Sequence, residues 1–381
     1  MNDSPYHRTS GVTAMNRRDF LFCSGGGLGG IALASLLGQE SLLAATPTSG
    51  VLHAPAKAKR VVQLFMAGAA SHVDMWDYKP LLEKKHGEKW DPGEAVELFQ
   101  SSPGSTFASP WKFKPYGQSG KMLSEIVAPI GDVVDDIAFV HNVVGRSGVH
   151  SQATLLQSTG FLIPGYPSVG AWVSYGLGSL NDNLPTFVVL PDIRGLPSNG
   201  QKNWDSAFLP GQNQATQVRV NAPKPIADLS PPPADYIRTA GETQGLQLLA
   251  KLNRAHADSH PGDPRLEARI RSYELAAKMQ LAAPEVSDLS REPDHVHELY
   301  GTKDANPLKA AYAKNCLLTR RFLEKGVRYV SLYCASRASG VDGLLNWDAH
   351  RTLKADYDRH CPVFDQPTAA LLADLKQRGM L

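Results

Sequence analysis

Short apolar runs alternate with amphipathic stretches along the chain. Residues 61–66 form a nearly continuous apolar run that ends before Gly68, as a strand of a buried parallel sheet does. Residues 137–140 and residues 186–190 are two further apolar runs, the second introduced by Pro185. We predict a strand at each of the three runs.

Helical periodicity dominates the second half of the chain. In residues 264–283 the apolar positions recur at three- and four-residue steps. Residues 307–325 begin with proline and stop at Gly326, which is the expected punctuation of a helix, and residues 327–333 then alternate as a strand does. Further helices are predicted over residues 152–158, 168–175 and 367–378. Strands that alternate with helices predict an α/β fold.

Two stretches depart from this alternation. Residues 191–233 are rich in Pro, Gly, Asn and Gln and are too long for a plain connection, so we interpret them as an insertion over the sheet edge that serves as a lid. The last predicted helix closes at Gly379, and the chain stops at Leu381 where a strand would follow. We therefore expect the sequence to be truncated within its last domain.

The N-terminal segment has the plan of a twin-arginine export signal. Arg17 and Arg18 precede a weakly apolar run at residues 24–37, and Ala44 and Ala45 supply a small-residue exit. Glycines break the run, which is shorter than the roughly 20 residues that a spanning helix needs, so no stable membrane span is predicted. The other interpretation is an arginine pair that precedes a chance apolar stretch.

This signal sets the predicted organisation and destination of the chain. The predicted parts are an export signal at 1–45 with an extended leader or misplaced start at 1–14, a linker at 46–60 and one domain at 61–381. We expect a periplasmic or otherwise exported protein, with the twin-arginine export machinery as a partner.

The composition and charge of the chain limit the kinds of partner that we expect it to bind. The 381 residues are 42% hydrophobic and 20% charged, as in an ordinary globular protein, and the net charge of +2 comes without a run of like charges. We therefore predict no nucleic-acid partner. Cys23 lies in the signal, and Cys316, Cys334 and Cys361 show no zinc-binding spacing. One disulfide stays open as an alternative, but the fold is not predicted to depend on disulfides.

Polar clusters follow the predicted strands, where sites form in α/β sheets. They supply the candidate site residues Asp74, Asp77, His150, Ser151, Asp348 and His350. Carboxylate with imidazole suits zinc, manganese or iron, whereas oxygen-rich ligand sets suit calcium or magnesium. Each residue also has a structural alternative, because Asp and His after a strand commonly form turns and helix caps.

Several stretches carry a family resemblance. They are residues 16–20, 64–80, 150–160, 273–276, 324–330, 347–350 and 374–379. In them the chain resembles the exported bacterial family called domain of unknown function 1501, which is grouped with the alkaline phosphatase and sulfatase superfamily. The resemblance covers nearly all of the mature chain.

The resemblance implies an alkaline phosphatase-like fold, with a mostly parallel central sheet, helices on both faces and a site for a divalent metal ion (zinc, calcium or manganese). Asp74 or Asp77 would stand where the superfamily's first metal-binding aspartate follows strand one. Asp348 and His350 would be later ligands. The ion would activate an oxygen nucleophile and neutralise the charge that develops on an ester.

The nucleophile is where the chain departs from the sulfatase pattern. Counting back from Thr159, the position of the modified cysteine falls on His150, and the chain has no Cys-x-Pro-Ser-Arg segment. A phosphatase-style nucleophile would be Ser151 or Thr154. The family's downstream segment, with further ligands, would follow Leu381.

These patterns lead to one hypothesis and one rival. The hypothesis is an exported metal-dependent hydrolase of sulfate or phosphate esters, with a small-molecule or polysaccharide substrate and with His150 as a ligand or proton donor. The rival is a non-catalytic envelope or binding protein that keeps the fold.

Overall fold

A four-stranded parallel sheet lies at the centre of the computed structural model. The structure describes residues 57–91, 93, 104–222, 225–227, 229, 239–260, 264–336, 346–349 and 351–381. The predicted export signal, its leader, most of the linker and His350 lie outside the described residues. Residues 57–381 form one compact unit.

Six strands in two sheets are found among the described residues. The strands are β1 (Val61–Met66), β2 (Phe113–Tyr116), β3 (Lys121–Ser124), β4 (Phe187–Leu190), β5 (Thr216–Gln217) and β6 (Tyr329–Cys334). The main sheet has the order β1-β6-β4-β5 and is parallel throughout, whereas β2 and β3 form an antiparallel hairpin. β6 is central and pairs with β1 along all six residues. The strands of the main sheet therefore all end at one edge, which is where chemistry is expected.

Ten α-helices are described. They are α1 (His72–Met75), α2 (Pro80–Lys84), α3 (Ala128–Gly131), α4 (His150–Thr159), α5 (Val169–Leu177), α6 (Thr239–Asp258), α7 (Pro264–Ser287), α8 (Asp294–Tyr300), α9 (Pro307–Glu324) and α10 (Leu353–Gln377). The predicted starts of two helices are confirmed by caps: Ser168 accepts from the amide of Ala171, and Asn306 accepts from the amide of Leu308. None of the described helices combines the length and the apolarity needed to cross a membrane.

Alternate residues of the central strands face two hydrophobic cores. One core holds Val188, Leu190, Val330 and Leu332 together with side chains of α9 and α10. The other holds Phe187, Val189, Tyr329 and Tyr333 together with Val173 of α5 and Trp204. Each large side chain so buried contributes about 1.5–3 kcal/mol. Both faces of the sheet are thus covered, and the predicted α/β fold with a parallel sheet is confirmed.

The strand predicted over residues 137–140 is wrong. Ile137 and Phe139 pack against the core while Ala138 and Val140 are exposed, so the segment alternates as a half-buried strand does. It nevertheless has no strand partner among the described residues. An apolar pattern specifies which side chains are buried and leaves backbone pairing open.

The last helix begins well before the predicted start at residue 367. α10 starts at Leu353 and runs through Pro362 and Pro367. Proline removes a helical hydrogen bond and usually ends a helix, which is why the sequence pattern placed the boundary there. Tertiary packing overrides this preference, because Tyr357 and Phe364, which both precede Pro367, are buried in the main core.

The segment predicted as an insertion is tied to the sheet where it is described. It supplies β5 at the edge of the main sheet, next to β4, and buries Trp204 in the second core. Its part beyond residue 222 is described only in places. Cys316, Cys334 and Cys361 are buried free thiols.

Candidate functional site

The chain leaves β1 through a tight turn that places a buried carboxylate. Gly68 and Ala69 both have positive φ, and Ser71 then precedes the short helix α1. The hydroxyl of Ser71 donates to Oδ2 of Asp74 at 2.5 Å, and Asp74 is buried. Asp74 is therefore held in one orientation at the carboxyl edge of the sheet.

His150 and Asp348 meet at the same edge. Nε2 of His150 lies 2.8 Å from Oδ2 of Asp348, although 198 positions separate them in the chain. The two side chains are 29% and 19% exposed, so solvent reaches both. His150 is the first residue of α4, where the helix dipole favours a nearby negative charge.

The segment that carries Asp348 is packed onto the turn after β1. The amide of Trp347 donates to the carbonyl of Ala67 at 2.9 Å, and the amide of Asp348 donates to Oδ1 of Asn346 at 2.8 Å. A glycine is required at position 68, where the two segments come close together, because an added Cβ would lie 2.8 Å from the backbone nitrogen of Trp347. The turn that leads to Asp74 and the segment that carries Asp348 are therefore neighbours in space.

A tyrosine that the sequence analysis did not single out joins these two segments. The hydroxyl of Tyr357, on α10, accepts from the amide of Ser71 at 2.6 Å and donates to the carbonyl of Trp347 at 3.1 Å. Tyr357 lies in a stretch where the sequence pattern predicted no helix, and no motif marks it. Only the fold brings it to the site.

Asp77 has different surroundings. Its carboxylate lies 2.9 Å from Nζ of Lys79, 3.5 Å from Nδ1 of His141 and 3.8 Å from Nε2 of His72. The hydrogen bond from Lys79 is the main cause that lowers the pKa of Asp77. The contacts of Asp77 are thus with basic groups, and its role as a metal ligand stays a prediction.

Ser151 and Thr154 follow His150 on α4. The backbone carbonyl of Ser151 accepts from Nδ2 of Asn199 at 2.6 Å, and its side chain is half-buried. The hydroxyl of Thr154 is buried and donates to the carbonyl of His150 at 2.7 Å, so it takes part in the bonding of the helix backbone.

Sequence reasoning also missed a buried ionic cluster at the end of β4. Nε and Nη2 of Arg194 donate to the two oxygens of Asp192 at 2.7 and 2.6 Å, and the amide of Ala335 donates to Asp192 at 2.8 Å. Nη1 of Arg194 lies 3.4 Å from both ring nitrogens of His360. Burial and the charge of Arg194 lower the pKa of His360 to about 3, so this imidazole is neutral. Asp192 follows a predicted strand, as the candidate site residues do. It was not chosen as a candidate because residues 191–233 were interpreted as an insertion.

The open pair of His150 and Asp348 supplies an imidazole nitrogen and a carboxylate oxygen, which are donor types that suit zinc or manganese. In the structure these two atoms lie within hydrogen-bonding distance of each other. Within the described residues, no three His, Cys, Asp or Glu side chains form a group that could hold a metal. His350, the other predicted ligand, lies outside that part of the chain.

A family model covers this whole region. Residues 58–381 match DUF1501, which is described as a protein of unknown function. The chain belongs to this family. The DUF1501 match extends from β1 to α10, so it contains all the described candidate residues. No curated protein and no solved structure matches the chain.

Proposed function

We propose that this DUF1501 protein is an exported, metal-dependent hydrolase of sulfate or phosphate esters, acting on a small-molecule or polysaccharide substrate. The observation that carries the proposal is the half-open pair of His150 and Asp348 at the carboxyl edge of a parallel sheet. Asp74 supports it, because Ser71 and Tyr357 link that carboxylate to the segment of Asp348.

The proposed donors come from three segments of the chain. Asp348 and His150 would hold a zinc, calcium or manganese ion, Asp74 would add a carboxylate from the β1 side, and His350 would be a further ligand. A bound divalent ion supplies neutralisation of the ester's charge and activation of an oxygen nucleophile. A ligand role for Asp77 would require its pair with Lys79 to open.

The protein's own side chains would then place the ester and move protons. Ser151 is the candidate nucleophile, since it is adjacent to His150 in the first turn of α4. If it does not bind the metal, His150 is the proton donor, with Asp348 orienting the ring from 2.8 Å. Export through the twin-arginine machinery fits this assignment, because that route carries proteins that are already folded, often with a metal in place.

The test uses the full chain, folded with zinc, calcium or manganese in turn. We expect about one bound ion per chain by elemental analysis, together with hydrolysis of aryl sulfates or aryl phosphates. Asp348→Asn should lose both properties while it keeps the fold, because one ligand and one half of the pair are removed.

A matched variant controls for the loss of any partly exposed aspartate. Asp136 pairs with Lys376 at 2.8 Å and is 25% exposed. Lys376 is near the end of α10, whereas Tyr357 is near its start. Asp136→Asn should therefore leave metal content and activity unchanged. A wild-type chain that binds none of the three ions and is inert towards both ester types would overturn the proposal and favour a non-catalytic envelope or binding protein.

A further inference from the structure

Tyr357 is a buried side chain at the junction of the two segments that carry Asp74 and Asp348. It is 1% exposed, and its ring packs against Trp347 with the centroids 5.4 Å apart. The ring also lies 5.9 Å from that of Trp111. Because the ring is enclosed, the hydroxyl is fixed in position.

Both hydrogen-bonding roles of this hydroxyl are used. It accepts from the amide of Ser71, which is 286 positions away in the chain, and it donates to the carbonyl of Trp347. Burial raises the pKa of Tyr357 above its ordinary value, so the hydroxyl keeps the proton that it donates.

Each of these hydrogen bonds ends next to a carboxylate of the candidate site. Ser71 donates its own hydroxyl to Asp74, and Trp347 directly precedes Asp348. A shift of Tyr357 would therefore move the two carboxylates relative to each other. Residues that orient metal ligands in this way affect metal affinity strongly, even though they do not touch the metal.

Building on the function proposed above, we infer that Tyr357 is a positioning residue that sets the separation of Asp74 and Asp348 for a divalent metal ion. A second contact keeps the two segments together without it, because the amide of Trp347 also donates to Ala67. Loss of the hydroxyl should thus loosen the site and leave the fold intact.

The test compares two variants that each remove one buried tyrosine hydroxyl. Tyr357→Phe removes the hydrogen bonds to Ser71 and Trp347. Tyr312→Phe is the matched control, because Tyr312 is buried in the same core and its hydroxyl lies 3.3 Å from that of Thr368. Dissociation constants for Zn²⁺ and Mn²⁺ are measured against a competing chelator on the full chain. Tyr357→Phe should bind about 10–100-fold more weakly than wild type, and Tyr312→Phe within about twofold.

Amide hydrogen exchange without metal supplies a readout that does not depend on activity. In Tyr357→Phe the amide of Ser71 loses its acceptor, so its exchange should accelerate relative to both wild type and Tyr312→Phe. The inference is overturned if Tyr357→Phe binds metal as tightly as wild type, or if the control weakens binding equally. A wild-type chain without metal affinity overturns the proposed function and the metal part of this inference, while the exchange rates still decide whether Tyr357 ties the segments together.

Discussion

Two pairs of aspartate with a basic side chain lie at the carboxyl edge of the sheet, and they differ in their access to water. The side chains of Asp192 and Arg194 are each 4% exposed, whereas those of His150 and Asp348 are 29% and 19% exposed. Both pairs have close contacts, at 2.6 and 2.8 Å. Distance alone therefore does not separate a structural pair from a candidate functional pair.

The difference lies in what surrounds the carboxylates. Each oxygen of Asp192 accepts hydrogen bonds, from the amide, Nε and Nη2 of Arg194 and from the amide of Ala335. These hydrogen bonds offset the free-energy cost of burying the two charges, and they connect the end of β4 to the end of β6. The pair of His150 and Asp348 is open to solvent, so a ligand can reach it.

The largest expected effect comes from Asp192→Asn. The substitution leaves the charge of Arg194 buried without its carboxylate, and we expect a loss of about 3–5 kcal/mol in the free energy of unfolding. Urea unfolding measures it. Asp348→Asn is the matched change in the open pair and should cost less than about 1 kcal/mol. Equal losses in the two variants would erase the distinction between the pairs.

A pH series further distinguishes the buried cluster of Asp192, Arg194 and His360 from the open pair of His150 and Asp348. The pKa of His360 is lowered to about 3 in the folded protein, against about 6.5 in an unfolded chain. Between these two pH values His360 is protonated in the unfolded chain but not in the folded protein. The free energy of unfolding therefore falls as the pH falls through this range. We expect His360 to account for about 2–3 kcal/mol of loss between pH 7 and pH 4.5.

The variant His360→Leu isolates this contribution, because leucine does not titrate. Its free energy of unfolding should fall less than that of wild type over the same pH range. Parallel losses in wild type and variant would show that His360 titrates normally in the folded state. The contribution of Asp192, whose pKa is lowered, is present above about pH 4 and so changes little over the measured range from pH 7 to pH 4.5.

A smaller effect tests how the open pair is assembled. Gly68→Ala places a Cβ at positive φ and 2.8 Å from Asn346 and Trp347, so it strains the contact that brings Asp348 to β1. Gly87→Ala has the same kind of backbone strain, but its Cβ would meet nothing within 4 Å. Urea unfolding should show that Gly68→Ala costs about 1–2 kcal/mol more than Gly87→Ala. Equal costs would mean that the two segments separate easily.

The sequence alone determined much of the architecture. Apolar runs predicted β1 and β4, because a strand covered on both faces is apolar at nearly every position, and the alternating pattern of residues 327–333 predicted β6. The predicted starts of α5 and α9 also agree with the structure, in which Ser168 and Asn306 cap these helices. Local patterns also misled, since residues 137–140 are not a strand and α10 continues through two prolines.

Candidate residues could likewise be named from the sequence, but their partners could not. Asp and His after a strand are visible in the chain, and this rule selected Asp74, His150 and Asp348. Only the tertiary structure paired His150 with Asp348 and placed Tyr357 between two distant segments. The physical reason is that local sequence controls backbone preference and burial, whereas the partner and solvent access of a charged side chain depend on packing between segments far apart in the chain.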